Sequence, residues 1–93
     1  MNRDELISRI KAILMQHGIP HAYLFGSFAR RERGFRDIDL AIEPPESKFS
    51  LLDLVGMEQE LEDSTGKKVE VVIYRSLKPR LKENIKKDLL PVL

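Results

Sequence analysis

The sequence contains no cysteine. Disulfides, thiolate nucleophiles and cysteine-based zinc or iron–sulfur sites are therefore excluded. Tryptophan is also absent and aromatic residues make up 6% of the chain, too few for a platform that stacks the bases of a single strand. No apolar run approaches the ~18–20 residues of a transmembrane helix. The first residues, Met1 to Glu5, include acids and no apolar stretch, so no signal peptide is expected. A strong charge of either sign is missing too. Sixteen Lys+Arg against 15 Asp+Glu leave a net charge of +1, which argues against wrapping nucleic acid by bulk charge. Together these absences lead us to expect a soluble, cytoplasmic protein with no membrane contact and no direct nucleic-acid binding.

What is present is an ordinary globular mixture, 42% hydrophobic and 33% charged over 93 residues, and a single domain over 1–93 is expected. Asn2-x-x-Glu5 resembles a capping box. Leu6, Ile7, Ile10, Ile13 and Leu14 follow at helical spacing, and Gly18 and Pro20 stop the helix near His17. His21 to Phe25 reads as a buried strand. Gly26-Ser27 is a turn, with Ser27 as a candidate cap for a short helical turn through Arg31. Asp37 to Ile42 alternates strictly, the period of a strand, and Pro44-Pro45 ends it. Ser50-x-x-Asp53 starts a long helix to about Asp63, with Leu51, Leu54, Val55 and Leu61 as its expected inner stripe. Val69 to Tyr74 is a strand. A last basic helix carries Leu81, Ile85 and Leu89, and Leu89 to Leu93 is an apolar tail. The expected fold class is α/β (α+β): a small mixed sheet flanked by helices, in the order α-β-α-β-α-β-α.

Chemistry concentrates on three places. In the strand Asp37 to Ile42, Ile38, Leu40 and Ile42 point to one face, and Asp37 and Asp39 to the other. Two carboxylates held at i and i+2 repel each other, and a divalent cation such as Mg²⁺ is a natural partner; taken alone, the pair reads first as the wet face of an edge strand. Gly26 follows a strand directly, where a glycine lets backbone approach a phosphate closely, and Ser27 adds a hydroxyl. Glu70 interrupts an otherwise apolar strand. If that strand neighbours Asp37–Ile42, Glu70 can join the two aspartates; otherwise it is a solvated residue near a strand start.

Gly26-Ser27, nine residues, then Asp37-Ile38-Asp39-Leu40, and an acid on the next strand resemble the nucleotidyltransferase superfamily of the DNA polymerase β type. More narrowly, the pattern is similar to the minimal nucleotidyltransferases (MNT), the antitoxins of HEPN/MNT toxin–antitoxin pairs. The resemblance spans nearly the whole chain. It implies that Asp37, Asp39 and Glu70 form the catalytic and metal site for two Mg²⁺ ions, with Glu70 helping to deprotonate the attacking hydroxyl. It implies that Gly26 and Ser27 position the phosphates of ATP and that Arg30 neutralises them. The implied reaction is transfer of AMP to a tyrosine hydroxyl of a HEPN toxin, releasing pyrophosphate. Three positions depart from the pattern. Glu70 stands where Asp is usual, Arg31 where Gly is frequent, and Arg36 where Ser or Thr is common. They keep open an alternative, a binding module that neutralises its partner by occlusion without chemistry.

Other residues have blander readings. Arg30, Arg31, Arg33 and Arg36 with Glu32 make a loop of net charge +3, suited to a triphosphate or simply solvated. His17 and His21 read as structural or exposed. The helix Ser50 to Asp63 carries five acids and no Lys or Arg, a solvated face or a dock for a basic partner. Leu81, Ile85, Leu89 and Leu90 exceed what an exposed tail needs, and part of that surface suits a subunit interface in a homo- or hetero-oligomer.

Overall fold

The structure, a computed structural model, describes residues 1–93. Helix α1 (Arg3–Gln16) begins where the capping pattern places it, the Asn2 side chain accepting from the Glu5 N–H at 2.8 Å. Asp4 and Glu5 in its first turn suit the positive end of the helix dipole. Strand β1 (His21–Phe25), a single helical turn α2 (Gly26–Ala29) and strand β2 (Asp37–Glu43) follow. Helix α3 (Leu51–Thr65) opens on a full capping box between Ser50 and Asp53 and closes at Gly66 in the left-handed conformation, φ 69°. Strand β3 (Lys68–Ile73), a 3₁₀ turn (Tyr74–Ser76), helix α4 (Pro79–Lys86) and strand β4 (Leu90–Pro91) complete the chain.

The sheet order is β3-β2-β1-β4. β1 pairs antiparallel with β2 and β4, and β2 pairs parallel with β3. A parallel pair needs a long crossover, and α3 is that crossover. One sheet face, formed by Ala22, Leu24, Ile38, Leu40, Ile42, Val69 and Val71, packs on Leu6, Ile10 and Leu14 of α1 and Met57 and Leu61 of α3. The mixed sheet with flanking helices is the expected class.

Four sequence expectations change. The apolar tail is a fourth strand: Leu24 faces Leu90 and Tyr23 faces Pro91, and Val92 is buried, its N–H donating to the Ala22 carbonyl at 2.9 Å. Leu89 lies beyond α4, and β3 ends at Ile73, one residue early. The inner stripe of α3 is also phased differently. Met57, Leu61 and Thr65 are buried and Leu54 packs against the core, while Leu51 and Val55 are 74% and 52% exposed. Val55 shares its helix row with Glu58 and Glu62, and that row runs along the sheet's edge instead of beneath it.

That row has a use. β3 is an edge strand, with backbone groups open to solvent or to another chain. The N–H of Val69 donates to Glu62 Oε2 at 3.0 Å, and the N–H of Val71 donates to Glu58 Oε2 at 2.8 Å. Asp53 serves the capping box, Glu60 meets His17 Nε2 at 3.2 Å, and Asp63 accepts from Gln59. The acidic face of α3 is thus largely occupied within the molecule. Replacing both Glu58 and Glu62 with alanine orphans two half-buried donors, at about 1–3 kcal/mol each. Denaturant unfolding is expected to show that loss, with faster hydrogen exchange at Val69 and Val71. Unchanged exchange there would contradict the role.

Candidate active site

The site lies on the sheet face opposite the α1–α3 core. Ile38, Leu40 and Ile42 are fully buried, and the alternation turns Asp37 and Asp39 to the other side, where both are half-buried. The in-register parallel pairing sets Asp39 opposite Glu70 and Asp37 opposite Lys68. On the other side of β2, Phe25 faces Asp39. Neighbouring strands lie ~4.8 Å apart, so Asp39 is flanked by an aromatic ring on one side and a carboxylate on the other. Lys68 is a site neighbour that strand reading alone passes over. Its signal is the Lys68-x-Glu70 spacing, which puts both side chains on one face.

Asp39 has the most altered chemistry. Its carboxyl is held above the ordinary value of 3.8, first by burial and then by the charges of Glu70 and Asp37, with Arg30 opposing. Gly26 packs against it. Gly26 has a φ of +76°, and a Cβ at that position would overlap Asp39 Oδ2 and come within 3.3 Å of its Cγ. Both backbone conformation and space therefore require glycine there. Ser27 is half-buried inside the first turn of α2 and does not cap it. That helix starts one residue earlier, at Gly26, with no side-chain cap, and ends at Ala29. Arg30 donates to Glu32, and to Asp88 Oδ2 at 2.7 Å, so its guanidinium ties the β1–β2 loop to the segment after α4. A cavity of about 180 Å³ beside Glu70 is lined by Phe25, Val72, Leu77, Leu81 and Ile85. The apolar side chains of α4 thus form a wall of this site.

The donor set suits a hard cation: three carboxylates on one face of two paired strands, with no soft ligand among them. As the side chains lie, no group of three acids or histidines is drawn together tightly enough to hold an ion. Like charges of Glu70 and Asp37 add to burial in raising the Asp39 pKa, and a cation among the three would offset that repulsion.

The family described as "Polymerase beta, Nucleotidyltransferase" matches residues 8–90. The chain belongs to that nucleotidyltransferase family, in its minimal (MNT) branch. It is 45% identical, over the full length of both chains, to a Methanocaldococcus jannaschii protein named "Putative protein adenylyltransferase MJ0435". A solved structure described as a "putative minimal nucleotidyltransferase" is 34% identical and superposes with a TM-score of 0.80, covering 98% of this chain and 96% of that one. One chain of a solved complex, described as a tri-AMPylated Shewanella oneidensis HEPN toxin with MNT antitoxin, shares the fold at 21% identity and a TM-score of 0.77, covering 99% of this chain and 72% of that one.

Two outcomes are expected of this nucleotidyltransferase without metal. Gly26→Ala should lose about 1–3 kcal/mol, the scale of one strained backbone position. Wild-type stability for this variant would contradict the close packing on Asp39. Asp39→Asn should be more stable than the wild type at neutral pH, because only the folded chain bears the burial and repulsion of that charge. A raised folded pKa means the wild type gains stability as pH falls through it, completely so below about 3.8, the unfolded value. The advantage of Asp39→Asn should therefore fade on acidification. A melting-temperature difference that stays constant with pH would contradict it.

Proposed function

We propose that this nucleotidyltransferase transfers AMP from ATP to a hydroxyl of a protein partner, the tyrosine of a HEPN toxin being the favoured acceptor. The observation that carries this reading is the register of Asp39 with Glu70, beside Asp37 and over Gly26. The name of the 45% identical relative and the HEPN–MNT assembly of the shared fold support it. Asp37, Asp39 and Glu70 would hold Mg²⁺, two ions in the proposed form, which when bound supplies Lewis-acid stabilisation of charge on the phosphoryl oxygens. Gly26 lets backbone come close to the triphosphate, and the Ser27 hydroxyl donates to it. Arg30 exchanges Glu32 or Asp88 for a phosphate oxygen, a charge-assisted bond of the same kind. Glu70 takes the proton of the attacking hydroxyl. The hydroxyl oxygen bonds to the α-phosphorus, the bond to the β-phosphate oxygen breaks, and pyrophosphate leaves.

The alternative, neutralisation by occlusion without transfer, draws on one feature: both partners of Arg30 are already within the chain. One experiment separates the two. Labelled ATP and Mg²⁺ are incubated with the protein and a HEPN partner, with the wild type and with Asp37→Asn. Label on the partner's tyrosine, reduced on the order of 100-fold or more in Asp37→Asn, is expected, the scale of losing a group that stabilises transition-state charge. No label, with full neutralisation by both proteins, would select occlusion.

A further inference from the structure

A second cavity lies away from the carboxylate face. It has a volume of about 290 Å³, and its lining includes Arg3, Phe28, Arg31, Glu32, Phe35 and Lys67, together with Met1 and Leu6. Leu6 and Phe28 belong to the core on the α1 side of the sheet, so this cavity opens on the side opposite Asp37 and Asp39.

Three cations converge there, and none takes part in an ion pair of the structure. Arg3 donates to the Phe28 carbonyl, and to the Ala29 carbonyl at 3.3 Å, which leaves three of its five N–H donors. Its guanidinium lies 4.6 Å from the centre of the Phe28 ring, and Lys67 Nζ lies 5.0 Å from the centre of Phe35. The two rings pack against each other, tilted by 47° with centres 4.7 Å apart. They therefore form a floor that holds the cations and sheds water, and their faces are not free to take a base. The one acid on the wall, Glu32, is engaged by Arg30.

Arg31 adds the second observation. It is the only residue other than glycine with a positive φ, 62°. Glycine would hold that backbone without strain. Instead a long cation occupies it, with no protein acceptor, beside another cation whose proton affinity is lowered by burial and by Arg31 itself. Like-charge crowding at one wall of a cavity is what a bound anion would relieve. The volume sits at the lower limit for small-molecule sites, which favours a compact ligand.

We propose that Arg3, Arg31 and Lys67 form a second anion site, separate from the carboxylate face, for a compact ligand of one or two phosphate groups, free or carried on a nucleotide. Phosphate oxygens take the unused guanidinium and ammonium donors in charge-assisted bonds, Arg31 and Lys67 reaching them from the exposed rim and Arg3 from its half-buried place against Phe28.

The test is an amide-resolved NMR titration of the full chain with pyrophosphate and, separately, with ADP. Divalent cation is absent and ionic strength is fixed. The proteins are the wild type, Asp37→Asn/Asp39→Asn, Arg31→Gly and Lys67→Gln. Saturable shifts are expected at Arg3, Phe28, Arg31, Phe35 and Lys67 in the wild type and equally in the double aspartate variant. Binding should weaken at least tenfold in Arg31→Gly and Lys67→Gln, while Arg31→Gly melts no lower than the wild type. Equal affinity for the two probes assigns the free anion, and tighter ADP binding assigns a nucleotide-borne group. Shifts confined to Gly26 and Ser27, or affinity unchanged in both cation variants, would overturn the site. Because the double aspartate variant is included, its failure is distinguishable from failure of the transferase reading.

Discussion

The in-register parallel pairing of β2 with β3 is the constraint on which the rest depends. It sets Asp39 opposite Glu70. A slip of one residue would turn Glu70 into the apolar core and Val69 or Val71 out of it. The register is specified from beneath by Ile38, Leu40 and Ile42 on one strand and Val69 and Val71 on the other, all buried against α1 and α3. It is specified from the side by Glu58 and Glu62, whose oxygens meet the outward N–H groups of Val71 and Val69. The same helix α3 makes the crossover, supplies part of the core and fixes the strand edge. The third acid is thus positioned by packing several residues away from it.

Holding carboxylates together works against stability. Burial and the charges of Glu70 and Asp37 raise the Asp39 pKa, and the metal-free fold bears that cost. A bound cation would offset that repulsion, so the site's electrostatics favour the proposed metal most where they most oppose folding without it. The net charge of +1 conceals this separation. Acids face each other on the sheet, and bases gather in the Arg30–Arg36 loop. Within that loop the bases divide again. Arg30 is paired with Glu32 and Asp88 near the carboxylates, and Arg31 turns to the opposite side with Arg3 and Lys67.

Much of this was legible in the sequence because the signals are local. The Asn2 cap, the Ser50–Asp53 box and the alternation of Asp37 to Ile42 each depend on residues a few positions apart, and each stands in the structure. Asp37 and Asp39 were legible as a pair for the same reason, since strand period decides that they share a face, whereas Glu70 joins them only through the pairing of β2 with β3. What was not legible depends on distant partners. β4 has two residues, one of them a proline, with no alternation to read, and exists because Ala22, Tyr23 and Leu24 offer it an edge. The exposure of Leu51 and Val55 depends on how far α3 overhangs the sheet. Arg30 read as a free phosphate ligand because Asp88 is 58 residues away. Gly26 read as a turn, and its packing on the Asp39 carboxylate appears only once β1 and β2 are paired.

The central claim is that Asp37, Asp39 and Glu70 act as one cation site. Paramagnetic broadening of the amide spectrum by substoichiometric Mn²⁺ tests it most directly. The account predicts that broadening centres on Asp37, Asp39 and Glu70, reaches Gly26 and Ser27, and is displaced by excess Mg²⁺. Broadening centred instead on the acids of α3, or equal across the spectrum, would contradict it.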